Sequence, residues 1–190
     1  MALALHDVGK LQVDWQAWAW AYQRRIGQPL PEEHCLVAHT CYDDGNEAHR
    51  QAAQVARRKH KKPNHAGEGA DAVQPVVAAA FGGRTAPRAL MKAVTAAILR
   101  HHNAQAYQAR PYRLHPRAPQ AVAQALAVFD LPAEWARRLR LEADAPTPDR
   151  YLPYPEPGPQ DPEWWAVWLY FLLVRILRLT DGLSQQAQVA

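Results

Sequence analysis

Apolar residues recur along most of this chain at steps of three and four, and proline or glycine closes several of these runs. That rhythm belongs to helices with one buried face, and no segment alternates over a strand's length between turn signals. An all-α domain is therefore expected, with a sheet improbable. Val13 to Ile26 carries Trp15, Trp18 and Trp20 and ends at Gly27, giving a first complete helix. Asn46 to Lys62 follows under an Asp43/Asp44 cap and stops at Pro63. Ala66 to Phe81 is a third helix, with Pro75 as a kink or break and Gly82 and Gly83 after it. Pro87 to about Asn103 carries Leu90, Val94, Ala97 and Ile98 on one stripe, and further helices are expected at Gln120 to Phe129 and Pro132 to Leu141. Seven prolines between Pro146 and Pro162 mark a long extended loop before the last helix, which runs from about Asp161.

With 190 residues, one domain with one core is the default. Cys35 and Cys41 form no CxxC pair, so neither a disulfide framework nor a thiolate zinc site is expected, and a reducing compartment fits. No basic-then-apolar leader opens the chain, and the longest apolar run, Trp164 to Val174, spans eleven residues. A bilayer needs roughly 20, so no membrane association is expected and the location is read as cytoplasmic. The net charge is +4, unevenly placed: Arg50 to Arg117 holds thirteen Lys/Arg against two acids, Glu68 and Asp71. Such an asymmetry points to an electropositive face for a polyanion, or to a merely solvated helix surface. Arg57, Arg58, Lys59, Lys61 and Lys62, with Arg110, Arg113 and Arg117, are the residues expected to grip a DNA backbone.

Chemistry is expected where polar residues stand at apolar positions. The stripe through Val94 and Ile98 continues to His101 and His102, and the stripe Val167, Tyr170, Val174, Leu177 leads to Asp181. Leu3 leads by three and four to His6 and Asp7, and His65 opens the third helix. Any one of these reads most simply as a hydrogen-bonded core residue or a helix cap. Taken together, imidazoles and carboxylates from several helices are how a dinuclear hydrolytic site is built without thiolates.

The segment HisAspValGlyLys at 6 to 10, with TrpGln at 15 to 16, resembles the HD motif of the HD-domain metal-dependent phosphohydrolases. More narrowly it resembles the CRISPR-associated HD nuclease of type I interference, because His65 in AsnHisAlaGlyGluGlyAla, His101 and His102 in LeuArgHisHisAsn, and Asp181 in ArgLeuThrAspGlyLeuSer follow in that family's order. The resemblance implies an HD-domain helical bundle whose two divalent ions cut single-stranded DNA, which is exposed by a guide-RNA surveillance complex and fed in by a helicase. It implies that Asp7 bridges the ions, that His6 and Asp181 hold the first, and that His65, His101 and His102 complete the second. Lys10 would stand beside the scissile phosphate, making Asp7 and Lys10 the catalytic pair. An imidazole-rich ligand set favours manganese, iron, nickel or cobalt over magnesium.

That family has a further histidine on the helix preceding the motif, and this chain begins five residues before His6. The first metal is accordingly expected to be one ligand short, and residues 1 to 190 to be part of a longer or split helicase-nuclease. No GxxxxGK[ST] motor signature occurs in the chain. Two other readings are an HD phosphohydrolase acting on nucleotides and a non-catalytic docking domain with an incomplete metal centre. His39, with Asp43 and Asp44, is read as part of a solvated loop with a helix cap, and Glu68 as a ligand-orienting or helix-dipole acid. The tryptophans, Trp164, Trp165 and Trp168 included, are read as mostly core.

Overall fold

A computed structural model describes residues 1–28, 35–82, 88–102, 110–145 and 164–187. Seven α-helices account for most of them: α1 (Ala2–Leu5), α2 (Val13–Arg25), α3 (Glu47–Lys59), α4 (Ala66–Ala80), α5 (Arg88–Arg100), α6 (Ala118–Val128) and α7 (Trp165–Ala187). Two 3-10 segments, Val8–Leu11 and Ala133–Arg138, complete the helical set. The proline-rich loop expected at 146 to 162 lies outside the described residues.

Helix α4 is the axis of the fold. Almost every residue from Ala66 to Val77 is buried, because the run is nearly all alanine, glycine and valine and offers neighbours an approach from every side. Pro75 sits inside the helix without ending it; its missing N–H removes one backbone bond, and the helix continues beyond it to Ala80. Helix α5 lies between α4 and α7 and splits its small residues between them. Val94, Ile98 and Leu99 join the cluster around Val73, Val76 and Val77, and Ala89, Ala93, Ala96 and Ala97 receive Ala166, Tyr170 and Leu177 of α7. A separate cluster, Trp15, Trp18, Ala19 and Tyr22 against Ala52, Ala53 and Ala56, binds α2 to α3. Asn46, not Asp43 or Asp44, caps α3: its side chain accepts from the amides of Ala48 and His49.

Three expectations need correction. A small antiparallel sheet exists, β1 (Tyr112–Arg113) paired with β2 (Glu142–Ala143), and is fastened to α4 where Asp71 accepts from Tyr112 Oη at 2.6 Å and from Arg140 Nη1 at 2.7 Å. Residues expected to form an α-helix at 132 to 141 form only the 3-10 segment Ala133–Arg138, held in place by Arg140 N donating to Ala72 O. Trp164, Trp165 and Trp168 are exposed, with Trp168 at 64% of its full accessibility, so the outer face of α7 is apolar rather than core.

Candidate metal centre

The centre is assembled where the 3-10 turn after α1, the start of α4, the end of α5 and the far half of α7 meet. Two glycines bring the first two together. A Cβ placed on Gly9 would lie 1.8 Å from His65 O, and one on Gly69 would lie 2.7 Å from Gly9 N. Backbone therefore rests on backbone, which sets His65, the residue before α4, beside Asp7. Buried Gln12 fastens the join, its Nε2 donating to Gly9 O at 2.9 Å and to Asn64 O at 3.2 Å.

At the end of α5 the chain leaves helical geometry, and successive side chains no longer diverge as they would along a helix. The rings of His101 and His102 lie 3.8 Å apart, centroid to centroid. The carbonyls left free by the end of the helix are capped by Arg178 of α7, whose Nε donates to His101 O at 2.9 Å and whose Nη2 reaches Arg100 O at 3.5 Å. One turn onward along α7 comes Asp181, so the same helix that fixes the histidine backbone delivers the late carboxylate.

Ligand atoms fall into two groups, Asp7 with His65, His101 and His102, and His6 with Asp7 and Asp181, and each group could hold a metal ion. Asp7 belongs to both. Its Oδ1 lies 3.6 Å from His65 Nε2 and 4.0 Å from His101 Nε2, while its Oδ2 lies 3.3 Å from His6 Nε2. His6 Nε2 is also 3.2 Å from Asp181 Oδ1. Two ligands sharing one ion at bond lengths near 2.1 Å stand roughly 3 to 4.2 Å apart, depending on the angle between them, and these separations lie in that span.

Hydrogen bonding fixes which nitrogens are offered. His6 Nδ1 and His101 Nδ1 each bond a backbone carbonyl, Leu3 O and Ile98 O respectively, so each ring turns Nε2 inward. Among the described residues, two of the buried side-chain atoms without a hydrogen-bond partner are Asp7 Oδ1 and His101 Nε2, which face one another. An acceptor oxygen opposite a bare nitrogen lone pair, both shut off from water, is unfavourable unless a cation lies between them. His65 Nε2 and His102 Nε2 lie 2.8 Å apart at the rim, where one ring donates to the other.

The electrostatics divide the centre. Burial opposes protonation of His6, but the carboxylates of Asp181 and Asp7 outweigh it and raise this imidazole to about 10. Burial, with His102 next, lowers His101 to about 4; burial and His65 lower His102 to about 4. His65 is lowered as well, chiefly by burial. Asp7 is held far below the usual carboxylate range: burial works against this, and the neighbouring imidazoles of His6 and His65 and the charge of Lys10 prevail. One side is thus an ion-paired acid–imidazolium cluster, and the other is a set of neutral imidazoles ready to bind.

All six sequence-named ligand residues lie in these two groups, and Lys10 Nζ donates to Asp7 Oδ2 at 2.8 Å. The basic residues are spread more widely. Arg57, Arg58 and Lys59 are exposed on the last turn of α3, and Lys61 is exposed beyond it. Lys62 differs, because its ammonium lies 4.2 Å from the centre of the Trp18 ring. Arg110, Arg113 and Arg117 are exposed on a segment that runs beside the 3-10 turn, where His115 N donates to Leu11 O. Glu68 is buried, accepts from Arg110 N at 3.1 Å, and so anchors this segment rather than orienting a ligand imidazole.

The positioning roles of Gln12 and Arg178 escaped the sequence reading, and Gln16 entered it only as part of the TrpGln pair at 15 to 16. Glutamine and arginine carry no periodic signal, although a glutamine on the buried face of α2 was a trace that could have been followed. Comparison with family models, with curated proteins and with solved structures gives no match to this chain. Among the described residues no helix is long and apolar enough to cross a membrane.

Proposed function

We propose that this chain is an HD-type, metal-dependent phosphodiesterase that hydrolyses single-stranded DNA, working in the cytoplasm with a helicase and a guide-RNA surveillance complex in CRISPR type I interference. The observation that carries the hydrolytic reading is the buried confrontation of Asp7 Oδ1 with His101 Nε2 inside a six-residue cluster of imidazoles and carboxylates. The DNA substrate and the two partners rest on the ordered motif set, HisAspValGlyLys through Asp181, and on the exposed arginines and lysines of α3 and of the 110–117 segment.

Asp7 is the shared carboxylate, with His6 and Asp181 on one side and His65, His101 and His102 on the other. Four imidazoles against two carboxylates favour manganese, iron, nickel or cobalt over magnesium. Two such ions supply electrophilic chemistry, acidifying water near neutral pH and offsetting the charge that develops on a phosphoryl group. The chain's own part is positional. Carbonyls of Leu3 and Ile98 hold His6 and His101 in the ligating tautomer, and Arg178 fixes the backbone of the histidine pair. Lys10 keeps a positive charge beside Asp7, where a phosphate oxygen of the substrate would meet it.

The test is incubation of the chain with manganese, nickel or cobalt, a circular single-stranded DNA and, separately, a panel of nucleotides. Loss of the circle that disappears with Asp7→Ala is the expected result. Phosphate release from nucleotides alone would replace the proposal with a small-molecule phosphohydrolase, and silence in every condition would leave a docking domain.

A further inference from the structure

The two ligand groups are unequal. Asp7, His65, His101 and His102 make four donors on one side, whereas His6, Asp7 and Asp181 make three on the other. Transition ions in hydrolytic sites take four ligands or more, and three protein donors plus solvent is the minimum. Any further imidazole within reach of the three-donor side would therefore matter.

The loop between α2 and α3 is held against that side by one buried side chain. Gln16 of α2 accepts from Val37 N at 2.8 Å through Oε1, and its Nε2 donates to Val37 O at 2.9 Å and to Lys10 O at 2.8 Å. These three bonds tie the loop backbone at Val37 to the backbone of Lys10, the residue whose ammonium is bonded to Asp7. Two residues past the clamp, within roughly 7 Å of chain, comes His39. Its side chain is exposed, and its ring stands outside the two groups of mutually close ligand atoms, so it must turn inward to join one. Partial burial of the ring lowers its pKa first; the charges acting on it next are Lys10, Asp7, Asp181 and His6, which are the three-donor group and its lysine.

We propose that His39 is the fourth protein ligand of the ion held by His6, Asp7 and Asp181, a loop-borne imidazole that Gln16 delivers to the open side of that site. This rests on the metal-centre reading and extends it. An exposed ring on a loop pinned at one point can turn onto an ion without disturbing the core. The arrangement also makes Gln16 a positioning residue, since removing its amide frees Val37 from Lys10.

The experiment counts ions and measures affinity rather than turnover. The purified full chain is titrated calorimetrically with cobalt(II), the bound metal is counted by elemental analysis, and the visible absorption of the cobalt is recorded. The same is done for His39→Ala, Gln16→Ala and His102→Ala. The expected result is two ions on the unaltered chain, with one of them weakened at least about tenfold in His39→Ala and its cobalt absorption reduced, while the other is unchanged. His102→Ala should weaken the opposite ion. Gln16→Ala should weaken the same ion as His39→Ala by a smaller factor. Because His39 is exposed, the metal-free melting temperature of His39→Ala should match that of the unaltered chain, which separates ligand loss from unfolding. Two ions with unchanged affinities and spectrum in His39→Ala would overturn the His39 assignment and leave the centre standing. A chain that takes up no cobalt would overturn both.

Discussion

Asp7 and His6 are adjacent in sequence but face opposite problems. Asp7 needs cations on both of its oxygens; His6 must give up a proton before it can ligate. With His6 raised to about 10, the metal-free chain at pH 7.5 carries an imidazolium in the His6–Asp7–Asp181 group, while His101 and His102, lowered to about 4, are neutral. Filling the first group should release about one proton and filling the second none. Calorimetry in buffers of different ionisation heat reads this directly, and equal release at both sites would contradict it. The sign for stability follows the same shift: the contribution of His6 is full below its unfolded value of about 6.5 and is lost as pH rises through about 10, so the metal-free chain should weaken toward alkaline pH. Asp7→Asn keeps the volume and removes the charge, and should abolish uptake of both ions. His101→Ala and His102→Ala should each remove only the second, by elemental analysis. These six candidate ligand positions were legible because each polar residue interrupts an apolar stripe or opens a helix. His39 carried no such mark, for a loop has no period, and its relation to the centre is made by Gln16, which is distant from it in sequence.

At the scale of elements, the meeting of the 3-10 turn with α4 is the join on which the centre depends. Gly9 has an ordinary backbone conformation, so its need for glycine is purely steric. A methyl there would collide with His65 O, a backbone atom already engaged as the first acceptor of α4 through Gly69 N. Gly9→Ala should cost about 3 kcal/mol or more, since backbone must move to admit it, and should weaken metal binding in whatever fraction remains folded. Chemical denaturation and cobalt titration check the two halves; an unchanged midpoint would remove the close contact from the account. The long helices were predictable within a few residues because period and stop signals coincide, as with α2, which ends at Arg25 before Gly27. The β1–β2 pair was not: two-residue strands are too short to alternate, and their pairing joins residues 112 and 143, which tertiary contacts such as Asp71–Arg140 help bring together. The outer face of α7 was misjudged for a related reason. Apolar residues stand all around Trp164 to Val174, so periodicity could not show that Trp168, Phe171 and Leu172 would face outward.

Across the whole molecule, the charge asymmetry seen in sequence becomes a spatial question about how a polyanion reaches the centre. Arg57, Arg58 and Lys59 end α3, which leads through residues 60 to 64 into His65. Arg110, Arg113 and Arg117 flank the turn that carries Lys10. The two groups thus stand on different segments of the chain. Lys62 belongs to this set only in part, because its ammonium rests on Trp18 and its pKa is lowered by burial and by Arg57 and Lys10. Exposed guanidinium and ammonium groups bind phosphate by displacing counterions, so affinity for single-stranded DNA should fall with salt at a logarithmic slope near −0.7 per phosphate engaged. Changing Arg57, Arg58 and Lys59 together to glutamine should flatten that slope by roughly 2 units, weaken binding alike for all sequences and leave cobalt stoichiometry untouched. Fluorescence anisotropy over a salt series decides it. An unaltered slope would mean that the end of α3 is only a solvated surface and that DNA, if bound, approaches along the 110–117 segment alone.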